Sequence, residues 1–337
     1  MTDITIGVIG YGYWGPNIVR NFFSLANCKV KSVADERKER LTILAKNFPF
    51  INGINNADDI INDSTIDAVV IATPVFTHFE LAKKALENGK HVLIEKPMTS
   101  TVAESEELIS LAEQKGLTLM VDHTFLYTGA VQKMKELIDS GAVGIPRYFD
   151  SSRINLGLFQ SDINVLWDLA AHDISILIYL INEVPESVNA TGISHTHNGV
   201  ENIAYMTVNY NSDFIAHINA SWTSPVKVRQ TLIGGDKKMI LYNDIEPSEK
   251  VRVYDTGYNH TTDEDKNKIL VDYRIGDIYI PKLPAEEALT GVANDFIQSI
   301  VQKKEPLSNA QLGLEVVKIL EASQYSIKNK GREVKIK

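Results

Sequence analysis

The stretch Ile4-Thr5-Ile6-Gly7-Val8-Ile9-Gly10-Tyr11-Gly12-Tyr13-Trp14-Gly15 decides the fold. Its first half is an apolar, β-branched run of strand composition, and its second half is a G-x-G-x-x-G pattern. A helix-compatible segment, Asn17–Leu25, follows at once. Strand, glycine loop and helix in that order turn a weak glycine pattern into a dinucleotide-binding fingerprint. In that setting Gly10 makes the turn out of the strand, Gly12 lets the backbone approach a pyrophosphate, and Gly15 lets the helix pack on the sheet. The phosphates then lie at the helix N-terminus, where unpaired N–H groups and the macrodipole favour anions. The alternative is a glycine turn with no cofactor.

A second strand, Lys29–Ala34, ends in Asp35, at the distance where this fold places a ribose-binding carboxylate. A carboxylate there accepts hydrogen bonds from ribose hydroxyls and repels a 2′-phosphate, so NAD is expected rather than NADP. Arg37 and Arg40 pull the other way, because either can reach a phosphate. Tyr13 and Trp14 stand inside the loop. Trp14 reads equally as a cover for the cofactor, a wall of the substrate pocket, or plain packing.

At 337 residues the chain is too long for one domain and too short for three. A net charge of −9 with no basic run argues against a nucleic-acid partner. The lone Cys28 allows no intrachain disulfide, which points to a reducing, cytoplasmic setting. No segment approaches the ~20 apolar residues of a membrane span. A strand begins almost at the first residue, so no signal peptide is expected.

The first third alternates strand and helix. A helix is expected over Glu36–Phe48, a buried strand at Ala68–Ala72, and a helix at Thr77–Asn88. A strand at His91–Ile94, a helix at Ala103–Lys115 and a strand at Leu117–Val121 continue the rhythm. Such alternation predicts an α/β Rossmann domain, a doubly wound parallel sheet, over 1–124. The rhythm breaks near His123. After a helix at Val131–Asp139 come strands at Arg147–Asn155, Ser187–Ser194, Ile203–Asn209, Ile215–Trp222, Gln230–Gly234 and Lys238–Tyr242. Many alternate apolar and polar residues, as in an antiparallel sheet with one open face. A helix over Val165–Ile181 interrupts them, Asn243–Lys282 reads as loops and short strands, and helices at Glu286–Lys303 and Ser308–Asn329 close the chain. The second domain, 125–337, is therefore expected to be α+β, with C-terminal helices able to pack back on the first.

Chemistry-bearing residues collect at two places. Glu95-Lys96-Pro97 ends a predicted parallel strand, at the sheet edge where α/β ligands bind. The Lys96 ammonium there reads as a donor to a substrate oxygen, or equally as a surface lysine in a salt bridge. Thr73 and Pro74 end another strand and are expected to line the cofactor cleft. His78 reads as a structural polar residue at a helix start. In the second domain, Asp168 and His172 are spaced i,i+4 on one helix face. His172 is a natural proton carrier at neutral pH, with Asp168 orienting it or binding substrate. Read alone, the pair is also an N-cap aspartate and a satisfied core histidine. Arg153, Asn155, Gln160 and Asn164 precede it and are candidates for binding substrate, with Arg153 as the best anion anchor; solvated loop chemistry is the alternative for each. His195 and His197 lack a third ligand, so no metal site is expected.

The glycine loop at Gly10–Gly15, Asp35, Ala72-Thr73-Pro74, Glu95-Lys96-Pro97 and Asp168-x-x-x-His172, in this order along the whole chain, resemble the Gfo/Idh/MocA oxidoreductase family. Glu305-Pro306-Leu307 before a long helix fits the same pattern. The resemblance implies a Rossmann domain joined to a domain with a large, mostly antiparallel open sheet that serves a homodimer or homotetramer. It also implies a catalytic set of Lys96, Asp168 and His172, converging from the two domains on one carbon. Arg153 through His172 is similar to members acting on nucleotide-linked sugars in surface-polysaccharide pathways. The expected activity is hydride transfer between NAD and a secondary alcohol of a sugar, at C3 of a nucleotide-linked pyranose. The alternatives are an NAD-dependent glycosidase acting through transient C3 oxidation, an inositol or free-sugar dehydrogenase, and a non-enzymatic NAD sensor.

Overall fold

A computed structural model describes residues 3–157, 159–260 and 271–337. The chain divides into two compact units, Met1–Tyr127 with Glu286–Lys318, and Thr128–Ala285 with Ile319–Lys337.

The first unit is built on a parallel sheet. Its strands are β1 (Ile4–Ile9), β2 (Cys28–Ala34), β3 (Asn52–Ile54), β4 (Ala68–Ile71), β5 (His91–Glu95) and β6 (Leu119–Asp122), in the order β3-β2-β1-β4-β5-β6. The order reverses at β1, so the crevice between β1 and β4 is the switch point where ligands bind in such sheets. Helices α1 (Gly15–Phe23), α2 (Lys38–Asn47), α3 (Ala57–Ile61), α4 (His78–Glu87) and α5 (Val102–Lys115) connect the strands. Every residue of β4 is buried, as a strand covered on both faces requires. Helix α5 starts on a reciprocal capping box between Thr101 and Glu104 and stops at Gly116, which adopts φ +64°. The core joins Ile6, Val8, Ile18, Phe22 and Leu93 to Leu289, Val292, Phe296 and Ile297. Those last four lie on helix α8 (Ala288–Gln302), which belongs to this unit.

The second unit opens with α6 (Gly129–Asp139) and carries a sheet of nine strands. They are β7 (Pro146–Leu156), β8 (Pro185–Ile193), β9 (Ile203–Tyr210), β10 (Ile215–Ser221), β11 (Thr223–Gly235), β12 (Met239–Asn243), β13 (Val251–His260), β14 (Val271–Tyr279) and β15 (Val334–Lys335). Their order is β14-β13-β12-β11-β7-β10-β9-β8-β15. All pairings are antiparallel except β7 with β10. Alternation sets the faces. Ala204, Met206 and Val208 of β9 and Ala216, Ile218 and Ala220 of β10 are buried, whereas Tyr205 and Ile215 are exposed. The apolar helix α7 (Ala171–Leu180) buries Ile174, Ile176, Leu177 and Leu180. The chain ends through α9 (Ala310–Lys328) and β15.

Several sequence expectations shift. Strand β3 and helix α3 were not anticipated, because three and five residues are too short to carry a period. The polar stretch Asn243–Lys282 contains the long strands β13 and β14 rather than loops and short strands; residues 261–270 within it lie outside the described residues. The helix expected over Val165–Ile181 is instead a π turn over Leu166–Ala170 leading into α7. No helix among the described residues is long and apolar enough to cross a membrane.

Candidate active site

In the first unit, β1 runs into the glycine loop. Gly10 sits at φ +100°, and a Cβ there would lie 2.3 Å from the backbone oxygen of Ala72. Only glycine allows both the left-handed turn and the close approach to β4. A Cβ on Gly15 would lie 2.6 Å from the oxygen of Gly10, so the start of α1 is pressed against the loop. Around Gly12 the nearest atom to such a Cβ is Arg37 Nη2 at 3.5 Å, which leaves the backbone open to a ligand. Pro16 stands in the first turn of α1, so the helix begins earlier than Asn17. Tyr13 and Trp14 are 80% and 46% exposed and meet edge to face at 5.3 Å.

Asp35, at the end of β2, is buried and ordered. Its Oδ2 accepts the Tyr11 N–H at 2.8 Å, and its Oδ1 accepts the Arg37 N–H at 3.0 Å. The Arg37 guanidinium grips both oxygens, at 3.0 and 3.2 Å. Burial pushes this carboxyl up, but these hydrogen bonds and the Arg37 charge together hold it below the usual carboxylate range. Asp35 is therefore ionised, with its Oδ2 facing the glycine loop at Tyr11. Arg37 is the arginine that engages it. Arg40 lies half-buried in the first turn of α2.

Lys96 follows β5 at the C-terminal edge of the sheet. Its backbone N–H donates to Glu95 Oε2 at 2.9 Å. Glu95 stands opposite Asp122 in the pairing of β5 with β6. His78 ties this edge to β4, with its ring nitrogens 2.9 Å from the oxygen of Pro97 and 2.8 Å from that of Thr73. The Thr73 and Thr77 hydroxyls bond at 2.6 Å, and Pro74 is exposed. Within reach of the Lys96 charge are two groups that sequence reasoning missed. Burial pushes the Asp122 carboxyl up to about 6, against a hydrogen bond from Thr124 and the Lys96 charge. Burial drops the fully buried His123 to about 3, with the Lys96 charge acting in the same direction. Adjacency to the strand end was the available signal for both.

In the second unit the π turn carries Asp168 and runs into α7 with His172. Short π segments inside helices recur at functional sites. Asp168 Oδ2 accepts the indole N–H of Trp222 at 2.9 Å. Asn164 caps the turn: its Oδ1 accepts the N–H groups of Leu166 and Trp167, and its amide nitrogen donates to Glu201 and Gln324. That placement corrects the reading of Asn164 as a substrate ligand, since its polar atoms are used internally and it is buried. Arg153 is corrected likewise. It is 2% exposed, and its guanidinium grips Asp173 at 2.7 and 3.0 Å, so it is a core ion pair rather than an open anion anchor. Asn155 and Gln160 are half-buried on and after the end of β7.

The glycine cradle with the ionised Asp35 beside it fits a dinucleotide, which places the chain among the dinucleotide-binding proteins. Comparison with known proteins narrows the class. Residues 4–123 match the model described as "Oxidoreductase family, NAD-binding Rossmann fold", and 131–241 match the GFO/IDH/MocA C-terminal domain. The chain is 30% identical over 228 residues to UDP-N-acetylglucosamine 3-dehydrogenase of Acidithiobacillus ferrooxidans, covering 66% of this chain and 68% of the relative. It is 27% identical over 248 residues to scyllo-inositol 2-dehydrogenase (NAD+) of Bacillus subtilis, covering 70% and 71%. The solved structure of the A. ferrooxidans enzyme superposes with a TM-score of 0.82 at 22% identity, covering 98% of this chain and 100% of that one, which is likeness of fold. The chain belongs to the Gfo/Idh/MocA family and is an NAD-dependent oxidoreductase.

Proposed function

We propose that the protein oxidises or reduces a ring carbon of a nucleotide-linked sugar, with C3 of a UDP-linked pyranose as the first choice. The observation that carries this is the 30% identity over 228 residues to a UDP-N-acetylglucosamine 3-dehydrogenase. NAD, held by the glycine loop and Asp35, supplies the hydride acceptor or donor. The residues do the rest. His172 takes the proton of the sugar hydroxyl as general base. Lys96 donates to the same oxygen and stabilises the negative charge that grows as the C–H bond breaks and the carbonyl forms. Asp168, anchored by Trp222, orients the sugar or the His172 imidazole. In the reverse direction each proton retraces its path.

Tyr205, Ile215 and Leu232 leave apolar side chains exposed on the sheet of the second unit, which supports a homo-oligomer formed through that face. The relative that acts on scyllo-inositol supports a second reading, a free cyclitol as substrate. The test is NADH formation from NAD+ with UDP-N-acetylglucosamine, UDP-glucose and scyllo-inositol, run on the wild type and on Lys96→Ala. Turnover of a UDP-sugar, cut at least about 100-fold by K96A, is expected. Turnover of scyllo-inositol alone, or near-normal K96A turnover, contradicts the reading.

A further inference from the structure

We propose that Trp222 and Arg153 are positioning residues of the active site, which from the β10–β11 junction and the adjoining strand β7 hold the helical turn bearing Asp168 and His172. The inference rests on the reading of those two as catalytic.

Trp222 lies between β10 and β11 and is 1% exposed. Its backbone is pinned on both sides: its N–H donates to the oxygen of Asn202, and its oxygen accepts the Gly157 N–H, each at 3.0 Å. The Phe159 ring packs against the indole with centroids 5.7 Å apart. A donor fixed in this way sets the orientation of the carboxylate it grips, Asp168 Oδ2 at 2.9 Å. Arg153, on β7 between β10 and β11, holds Asp173 in a buried two-point grip.

The anchored carboxylates flank His172. In a regular α-helix, side chains five positions apart diverge by about 140°. The π turn over Leu166–Ala170 is wider, and both Asp168 and Asp173 find partners on the sheet. The turn therefore cannot rotate about its axis or slide without breaking one anchor. Neither Trp222 nor Arg153 needs to touch substrate to act, because a misplacement of about 1 Å at a reacting group costs on the order of 100-fold in rate.

The test uses two variants at position 222: Trp222→Phe, and the isostere benzothienylalanine, which replaces only the indole N–H by sulfur and leaves no cavity. Crystal structures of both give the orientation of the Asp168 carboxylate. Kinetics with NAD+ and UDP-N-acetylglucosamine give the split between kcat and KM. Arg153→Lys, which keeps the charge, is compared with Arg153→Met. We expect a rotated Asp168 carboxylate, kcat lowered about 10- to 100-fold, and KM and NADH affinity within about threefold of wild type. Arg153→Lys should retain more of kcat than Arg153→Met. An Asp168 carboxylate in its wild-type orientation in the isostere variant overturns the proposal, as does an unchanged kcat. If the wild type does not oxidise this sugar, the substrate reading fails, and the crystallographic orientation of Asp168 still decides the positioning role.

Discussion

Consider the removal of one partner from the ion pair of Arg153 and Asp173. The side chains are 3% and 2% accessible and meet at 2.7 Å. Burial alone pulls the Arg153 guanidinium down, but the Asp173 charge and hydrogen bond outweigh it and leave it above its ordinary value. Each ion thus offsets the burial of the other, and Asp244 adds to the negative field at Arg153. Arg153→Met leaves the Asp173 carboxylate buried on α7 without its guanidinium partner, and Asp173→Leu leaves a buried guanidinium. Breaking a buried pair in this way costs about 3–5 kcal/mol, whereas replacing both ions by apolar groups of similar size is often near neutral. The expected pattern is two singles each destabilised by about 3–5 kcal/mol and a double variant within about 2 kcal/mol of the parent. Urea unfolding followed by tryptophan fluorescence measures it in a Trp14→Phe background, where Trp167 and Trp222 report on the second unit. Singles that lose less than about 1 kcal/mol, or a double whose loss is the sum of the singles, refute the reasoning.

Three further outcomes are expected. Gly10→Ala forces an alanine to φ +100° with its Cβ 2.3 Å from the Ala72 oxygen, so NADH affinity, read by fluorescence titration, should fall at least about tenfold. Asp35→Ser removes the carboxylate at the end of β2 and releases the Arg37 guanidinium from its grip; the ratio of NADPH to NADH affinity should rise at least about tenfold, and an unchanged ratio would remove Asp35 from cofactor selection. The Asp122 carboxyl is raised in the folded chain to about 6, so its stabilising contribution is full below about pH 4 and is lost as the pH rises through about 6. Asp122→Asn has no such loss, so its stability relative to wild type should rise by up to about 3 kcal/mol between pH 4 and pH 8, and a flat difference in chemical denaturation contradicts the assignment.

Much of the first unit was legible because its signals are local. Gly10, Gly12 and Gly15 sit at fixed offsets from a β-branched run, and Asp35 follows the next one. What was not legible was direction. Arg153 and Asn164 read as ligands because a sequence shows that a residue is polar, not which way it faces. For Arg153 the parity of the strand held the answer: Phe149, Ser151 and Arg153 alternate inward on β7. The same parity on β10, through Ala216, Ile218 and Ala220, carries Trp222 to the buried face. The π turn had no local signature, and the Trp222 indole that grips its Asp168 lies 54 residues along the chain. His123 and Asp122 were passed over because a residue's burial beside Lys96 is set by the packing of β5 against β6.

The most direct measurement follows the hydrogen itself. UDP-N-acetylglucosamine carrying deuterium at C3 is incubated with NAD+ and the wild-type protein, and the nicotinamide ring of the product is analysed by mass spectrometry and NMR. Deuterium is expected on C4 of the reduced nicotinamide together with a 3-keto sugar. Reduced nicotinamide that carries only protium, or no transfer while scyllo-inositol is oxidised, would contradict it.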